Sequence, residues 1–274
     1  MSTHLTKGKS YGILIMDHFA CCRRLCENAE GKTGVRIFQK GFNYSQDGPG
    51  NRLVYHLQGC NLRCPWCANP EGLSLRGGTE YSVAALTREV LSSKMMFFDG
   101  GGVTLTGGEA TLQFEEVKEF LSSVHSQGIH TCIETNGMSS RLEELFPVLD
   151  YLIMDLKHYD PGIHRTVTGA SNESTLQNIR LALEGRKQLA LRIPLIGGFN
   201  ASREDAYGFC RLLASLGMKE NATLELLSYH EYGKGKYKSL GMEYAMTRAA
   251  FVSGEQLAEI QSIFLECGIK LIKT

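Results

Sequence analysis

"RLVYHLQGCNLRCPWC", residues 52–67, carries a strand pattern that runs directly into three closely spaced cysteines. Residues 52–58 are rich in branched aliphatic and aromatic side chains, which predicts a β-strand. The cysteines follow at Cys60, Cys64 and Cys67, in the spacing CxxxCxxC. The strand therefore leads into a set of soft metal ligands, and the rest of the sequence indicates which fold presents them.

Five further strands are predicted downstream, each separated from the next by a helical segment or by a loop and a helix. They comprise residues 103–106, 130–135, 151–156, 189–195 and 224–229, and a short strand at residues 269–272 closes the chain. Strict alternation of strands and helices implies parallel strands joined by helical crossovers. The pattern predicts an α/β fold, either an open doubly wound sheet or an incomplete βα barrel.

Composition and charge exclude several classes of partner. Lys plus Arg and Asp plus Glu both number 29, so no basic field attracts nucleic acid. The apolar run at residues 11–16 is too short for a signal-peptide core or a membrane span, so we expect a cytoplasmic protein without a membrane partner. The chain has no heptad seam, and we expect a monomer. With 43% hydrophobic residues it has enough apolar side chains for a substantial core.

The remaining cysteines fall into two groups. We expect residues 1–40 to form an irregular N-terminal extension and residues 41–274 to form the core domain. In the extension, Cys21, Cys22 and Cys26 are interpreted as free thiols, with an auxiliary metal site as the alternative. The other three lie within a predicted strand or helix and are interpreted as buried thiols, namely Cys132, Cys210 and Cys267.

Glycines and polar residues follow the predicted strands at their carboxyl ends, where ligands bind in both candidate folds. In chain order after the cysteines they are Gly107, Gly108, Glu109, Glu134, Thr135, Asn136, Asp155, Lys157, Arg192 and His230. The glycines allow a ligand to approach the backbone, and Glu109 suits an ammonium group. Lys157 and Arg192 suit a carboxylate. Taken singly, each has an ordinary interpretation as a turn, a helix cap or a surface charge; their shared position favours a site.

The three clustered cysteines suggest a bound metal centre, and the carboxylates of Glu134 and Asp155 suggest a bound cation. Three thiolates can bind a four-iron cubane and leave one iron free for a small molecule that chelates through an amine and a carboxylate. The alternative is a zinc ion completed by His56 or His230. The acidic Glu134 and Asp155 suit a hard cation or ribose hydroxyls, with helix capping as the alternative.

The segment DGPGNR, residues 47–52, predicts a tight turn immediately before the first strand. Pro49 fixes one backbone dihedral and the glycines supply others. Asp47 is placed to present a carboxylate to a peptide docked at the barrel mouth, and a plain connecting turn is the alternative interpretation.

CxxxCxxC with the aromatic Trp66 before the last cysteine, followed by a GGE strand end, resembles the radical S-adenosylmethionine (SAM) superfamily. Within it, the chain resembles the activating enzymes of glycyl radical enzymes, those of pyruvate formate-lyase included, from about Asp47 to the C terminus. The motifs are DGPGNR, GCNLRCPWCANPEG, GGGVTLTGGEATLQ, IHTCIETNG, MDLKHYD and LLSYHEYGKGKY. Together with this resemblance, the strand pattern leads us to expect a partial (β/α)6 TIM-like barrel of parallel strands after the irregular extension.

The resemblance implies a role for each candidate residue. The three clustered cysteines would hold a [4Fe-4S] cluster whose fourth iron binds SAM. Gly107, Gly108 and Glu109 would orient the methionyl amine, Lys157 and Arg192 its carboxylate or nearby groups, and His230 would pack by the adenine. The residues implied at a monovalent-cation site are Glu134, Thr135 and Asp155; Asn136 and Trp66 are further expected cofactor-binding residues.

The implied reaction is one-electron cleavage of SAM to methionine and a 5′-deoxyadenosyl radical, which takes a hydrogen from a glycine Cα of a partner enzyme. Flavodoxin or ferredoxin would be the reductant. Asp47 and Lys157 are the expected catalytic residues, Asp47 by seating the partner's glycine loop. The alternatives are a radical SAM enzyme acting on a small molecule and a zinc-stabilised module without catalysis. About forty cysteine-free residues separate the cysteine motif from GGE, so the inserted ferredoxin-like domain of many relatives is absent.

Overall fold

Nine strands form one sheet in the described part of the chain. The computed structural model describes residues 34–185, 187–218 and 222–272. The strands are β1 (Gly34–Tyr44), β2 (Asn51–Leu57), β3 (Thr79–Ser82), β4 (Gly102–Gly107), β5 (His130–Thr135), β6 (Tyr151–Asp155), β7 (Gln188–Leu195), β8 (Ala222–Ser228) and β9 (Leu271–Ile272). Their order is β3-β1-β2-β4-β5-β6-β7-β8-β9, with β3 and β9 at the edges.

The direction of the strands matches the expected barrel. From β2 to β9 every neighbouring pair is parallel. β1 runs antiparallel to both β2 and β3, and neither β1 nor β3 was predicted from the sequence. The six parallel strands that follow from the sequence, and the short last one, are confirmed.

Helices connect the parallel strands. They are α1 (Val83–Ser92), α2 (Phe114–His125), α3 (Pro161–Thr168), α4 (Glu173–Glu184), α5 (Arg203–Leu216), α6 (Lys234–Ser239) and α7 (Gly254–Glu266). α5 begins with a capping box in which Ser202 and Asp205 each bond the other's backbone, and it ends at Gly217 with φ of 68°. Both are local features, because the cap residues and the glycine lie within a few positions of the helix ends.

The two faces of the sheet are covered differently. On one face Leu53 and Leu57 of β2 pack with helix residues in the main core. On the other face Cys132, Ile153 and Ala190 form a second, smaller cluster whose members all come from strands. The helices therefore cover one face and leave the other as an inner face, which is the arrangement of a partial barrel and not of a doubly wound sheet.

The N-terminal boundary was predicted between residues 40 and 41, but β1 runs across it, from Gly34 to Tyr44. The division into an extension and a core domain stays a prediction. Among the described ranges, no helix is long and apolar enough to cross a membrane. The thiols expected in the extension, Cys21, Cys22 and Cys26, lie outside the described residues.

Candidate active site

The clustered cysteines lie on a loop whose two ends are joined through the backbone. The amide of Gly59 donates a hydrogen bond to the carbonyl of Gly72 at 3.0 Å. Within the loop, the Cys67 amide donates to the Cys64 carbonyl at 3.1 Å. The loop therefore holds the thiols together at the carboxyl end of β2.

The end of β4 packs closely against this cysteine loop. A Cβ on Gly108 would lie 2.0 Å from the carbonyl oxygen of Gly59 and 2.7 Å from that of Gly72. Gly107 has φ of 111°, and a Cβ there would lie 2.4 Å from the Leu57 nitrogen. Both glycines were expected to let a ligand approach; in the structure they let one backbone segment approach another.

Glu109 lies beneath the loops and is 1% exposed. One carboxylate oxygen accepts hydrogen bonds from the amide and hydroxyl of Thr111, at 3.0 and 2.5 Å, and from the hydroxyl of Thr135 at 2.7 Å. The other oxygen accepts the amide of Asn136 at 2.8 Å. Glu109 thus joins the loop after β4 to the loop after β5. Its contact with a ligand ammonium stays a prediction.

A cleft of about 240 Å³ opens at the carboxyl ends of the parallel strands. Most of the predicted site residues line it: Cys60, Cys64, Trp66, Cys67, Gly107, Gly108, Glu134, Thr135, Asn136, Asp155, Lys157 and His230. The structure therefore brings together residues spread over most of the chain. Asp47, Glu109 and Arg192 are the predicted site residues outside this lining.

Lys157 supplies a buried positive charge to the cleft. It is 8% exposed, and its Nζ donates to Asp155 Oδ2 at 2.5 Å. Burial works against the charged form, but attraction to Asp155 and to the Cys64 sulfur raises the pKa of Lys157 above its ordinary value. The ammonium is therefore charged at neutral pH and close to the cysteine loop.

Arg192 binds other protein groups rather than facing the cleft. Its Nε donates to Glu225 at 3.0 Å, one terminal nitrogen donates to Glu134 at 2.7 Å, and the other donates to the Gln46 carbonyl. The second oxygen of Glu134 accepts from the hydroxyl of Thr106 at 2.9 Å. Burial raises the pKa of Glu134, although the Arg192 guanidinium opposes that shift. A network of one cation and two carboxylates thus crosses the inner face.

The turn before β2 folds onto the inner face. The carbonyl of Asp47 accepts the hydroxyl of Thr104 at 2.7 Å, and the carbonyl of Pro49 accepts Arg52 at 3.0 Å. The Asp47 carboxylate accepts a hydrogen bond from Asn43. Because Arg52 and Thr104 belong to the amino-terminal halves of their strands, the turn lies toward the opposite end of the inner face from the cysteine cleft.

A second cavity, of about 290 Å³, lies beside this turn. Its lining comprises Ser45, Gly48, Pro49, Tyr151, Ile153, Ala190, Arg192, Glu225 and Ile272. Glu134 lines the first cleft and Arg192 lines the second cavity, so the ion pair between them stands where the two spaces adjoin.

Comparison with known proteins decides the family. The family described as the Radical SAM superfamily matches residues 54–210. The chain belongs to the radical SAM superfamily. It is 33% identical over 231 residues to the pyruvate formate-lyase 1-activating enzyme of Escherichia coli, covering 82% of this chain and 93% of that enzyme.

Two further relatives show how far the likeness of this radical SAM enzyme extends. The choline trimethylamine-lyase activating enzyme of Oleidesulfovibrio alaskensis is 29% identical, covering 79% of this chain and 90% of that one. A crystal structure of a domain of the pyruvate formate-lyase-activating enzyme of Bacteroides vulgatus superposes with a TM-score of 0.51 and 30% identity, covering 63% of this chain and 98% of that domain. The chain is thus a radical SAM enzyme of the activating-enzyme type, and the alternative of a module without catalysis is wrong.

The cleft of this radical SAM enzyme has donors that fit an iron–sulfur cluster. Burial raises the pKa of Cys60 to about 11 and that of Cys64 to about 12, so metal-free thiols are protonated and cluster binding releases protons. Lys157 adds a nearby positive charge that favours the thiolates. Within the described ranges, no group of three or more His, Cys, Asp or Glu side chains is placed to hold a single metal ion.

Aromatic rings border the cleft of the radical SAM core. The rings of Trp66 and Phe199 pack at a tilt with centroids 4.9 Å apart, and His230 stacks on Tyr232 with centroids 4.0 Å apart. His56, a candidate fourth ligand for zinc, is outside the cleft lining.

Several residues that hold the cysteine loop of the radical SAM core were missed in the sequence. The side-chain nitrogen of Asn136 donates a hydrogen bond to the side-chain oxygen of Asn61 at 2.7 Å, across 75 residues of chain. Lys236 of α6 donates to Asn69 at 2.9 Å, across 167 residues, and pairs with Glu71 at 3.1 Å. No local pattern marks such pairs, because each joins residues that only the folded sheet brings together.

Proposed function

We propose that this protein activates a glycyl radical enzyme. With its cluster bound, it would supply the electron that cleaves SAM to methionine and a 5′-deoxyadenosyl radical, which takes hydrogen from a glycine Cα of the partner. One observation carries the proposal: the cysteine cleft and the cavity beside the Asp47 turn adjoin at the Glu134–Arg192 pair. A cofactor and a peptide can therefore meet on one inner face.

The residues of the cysteine cleft would bind and orient the cofactors. Cys60, Cys64 and Cys67 would hold a [4Fe-4S] cluster. Lys157 would hold its positive charge beside the cluster and the carboxylate of SAM, and His230 would pack against the adenine. Gly107 would leave room for the methionyl group, since it lines the cleft without a side chain.

The second cavity would receive the glycine loop of the partner. Its neighbour Asp47 is half-buried, and its turn is fastened through backbone carbonyls that accept from Thr104 and Arg52. Because these hydrogen bonds fix the turn, the Asp47 carboxylate has a fixed position, and less conformational entropy is lost when a peptide binds. Asp47 would accept hydrogen bonds from the backbone amides of that loop.

The names of the relatives suggest which partner enzyme this protein activates. One relative activates pyruvate formate-lyase and another activates choline trimethylamine-lyase by name; we propose a pyruvate formate-lyase-like partner, with flavodoxin or ferredoxin as reductant. We also propose a monomeric, cytoplasmic protein with a core domain after residue 40. A monovalent cation would lie among Glu134, Thr135 and Asp155. It would share both carboxylates with side chains of the protein, because Asp155 pairs with Lys157 and Glu134 pairs with Arg192.

The test is transfer of hydrogen from the partner. The reduced protein, SAM and a pyruvate formate-lyase labelled with α-deuterated glycine are mixed without oxygen. We expect a glycyl radical in the electron paramagnetic resonance (EPR) spectrum and deuterium in 5′-deoxyadenosine. Asp47→Asn should lower the radical yield while SAM cleavage without a partner persists. Cleavage of SAM with no deuterium transfer from this partner or from choline trimethylamine-lyase would favour a small-molecule substrate instead.

A further inference from the structure

Two cysteines outside the cleft lie together where α5 packs against the end of α7. Cys210 is 5% exposed and belongs to α5, whereas Cys267 follows the last residue of α7 and is exposed. The prediction of a buried thiol is therefore confirmed for Cys210 and wrong for Cys267, because Cys267 lies just beyond the packed part of its helix. The Cys210 sulfur lies 4.0 Å from the carbonyl oxygen of Ile263, and the same oxygen accepts the amide of Cys267 at 3.0 Å. One carbonyl group therefore locates both cysteines, although 57 residues separate them in the chain.

The two thiols also interact electrostatically. Burial raises the pKa of the Cys210 thiol to about 12, and the neighbouring Cys267 thiol acts in the same direction. The pair thus has a buried thiol that keeps its proton and an exposed thiol that solvent can reach.

We propose that Cys210 and Cys267 form a reversible disulfide that fastens the end of α7 to α5. The oxidant is a small disulfide of the glutathione class. The exposed Cys267 thiolate attacks it, so that a mixed disulfide forms and one small thiol leaves. The Cys210 sulfur, after giving up its proton, then attacks the Cys267 sulfur and releases the second small thiol. The protein loses two protons and two electrons, and the small disulfide gains both.

The bond would restrain the last strand as well as the helix. Two residues after Cys267, Ile269 packs into the main core, and the chain then enters β9. Ile272 of β9 lines the second cavity. Fastening α7 to α5 therefore limits the freedom of one wall of that cavity. This inference is independent of the proposed function, since it concerns thiols outside the cleft.

The experiment traps the pair in the whole holoprotein. The protein is equilibrated without oxygen in mixtures of reduced and oxidised glutathione, alkylated and digested with trypsin. Cys210 falls in the peptide of residues 204–211 and Cys267 in that of residues 249–270. We expect these two peptides to appear linked by a disulfide, with loss of both alkylated forms together. Dithiothreitol should restore both.

A second measurement distinguishes the bond from simple oxidation of Cys267. Oxidation should raise the thermal unfolding midpoint of the wild type, and dithiothreitol should reverse the rise. The matched variants Cys210→Ser and Cys267→Ser should show neither the linked peptide nor the rise. Three results would overturn the proposal: full alkylation of both thiols in oxidising mixtures, glutathione on Cys267 without the linked peptide, or Cys267 linked to another cysteine.

Discussion

At the scale of single residues, the distances around Gly108 determine how closely β4 approaches the cysteine loop. The motif GGE was predicted to serve a ligand because glycine permits close approach. The structure shows that the close approach is between two backbone segments, at Gly59 and Gly72. A glycine in a sequence indicates that another group approaches the backbone closely, and only the fold shows whether that group is a ligand or another backbone segment.

Gly108→Ala should displace the cysteine loop, because its Cβ would lie 2.0 Å from a carbonyl oxygen that cannot move alone. We expect a loss of stability of about 3 kcal/mol, in line with overpacking, and a lower iron content after anaerobic reconstitution. Gly235→Ala is the control, since a Cβ there meets nothing within 4 Å. Normal iron content and an unchanged unfolding midpoint in Gly108→Ala would contradict this account.

Glu109→Gln tests the carboxylate beneath the loops. The glutamine side chain has one oxygen and one NH2 group in place of two carboxylate oxygens. Its NH2 group would therefore face either the backbone amide of Asn136 or the donors of Thr111 and Thr135, and those donors would lose their acceptor. Because such buried groups lose a partner, unfolding free energy should fall by about 2 kcal/mol in urea titrations. Exposed Glu119→Gln is the matched change on α2 and should have little effect. A loss confined to SAM affinity, with stability unchanged, would instead mean that Glu109 acts on the ligand.

At the scale of elements, the turn at residues 45–50 is fixed by side chains of the inner face. The strands β2 and β4 to β8 could be predicted because their apolar runs are short and regularly spaced. β1 could not, because most of its residues from position 39 onward are exposed and show no clean alternation. The turn was recognised from DGPG, but its hydrogen bonds to Thr104 and Arg52 join residues brought together only by the sheet.

Thr104→Val removes the hydroxyl that donates to the Asp47 carbonyl and accepts from Arg52 Nε at 2.6 Å. The valine has the same shape, so the effect comes from unsatisfied partners and should cost about 1 to 3 kcal/mol of stability. We also expect a weaker apparent affinity for the partner enzyme, measured as a higher KM in radical formation, with SAM cleavage alone unchanged. Equal losses in both reactions would show that the turn does not act on the partner.

At the scale of the whole molecule, charge is balanced by internal pairing. Net charge is zero, and the cations of the site, Lys157 and Arg192, each have a carboxylate partner. The strand-end residues were predicted because parallel strands share one ligand-binding end. Arg192 was predicted to face a ligand, whereas the structure pairs it with Glu134 and Glu225; a sequence cannot tell a ligand's carboxylate from one supplied by a neighbouring strand.

Acidification should destabilise the protein. Burial lowers the pKa of five described histidines, His56, His130, His158, His164 and His230. The unfolded chain therefore binds more protons below its ordinary histidine pKa of about 6.5, and stability falls as the pH drops through that value. The raised pKa of Glu134 has the opposite effect and favours the folded state on acidification, but it is one group, whereas five histidines favour unfolding.

Urea unfolding at about pH 7.5 and about pH 5.5 measures this difference in the free energy of unfolding. We expect the lower value at the lower pH. His158→Gln, which removes one fully buried imidazole, should show a smaller drop than the wild type. An unfolding free energy that is constant or rises on acidification would mean that carboxylates dominate.

The most direct test of the central claim is the EPR spectrum of the reduced protein before and after addition of SAM. Wild type and the triple variant Cys60/Cys64/Cys67→Ala are compared, with Cys267→Ser as a control that keeps the cleft. We expect about four irons and a signal that shifts with SAM in wild type and control, and neither in the triple variant. Bound zinc in place of iron under strict anaerobiosis, with a spectrum indifferent to SAM, would contradict the account.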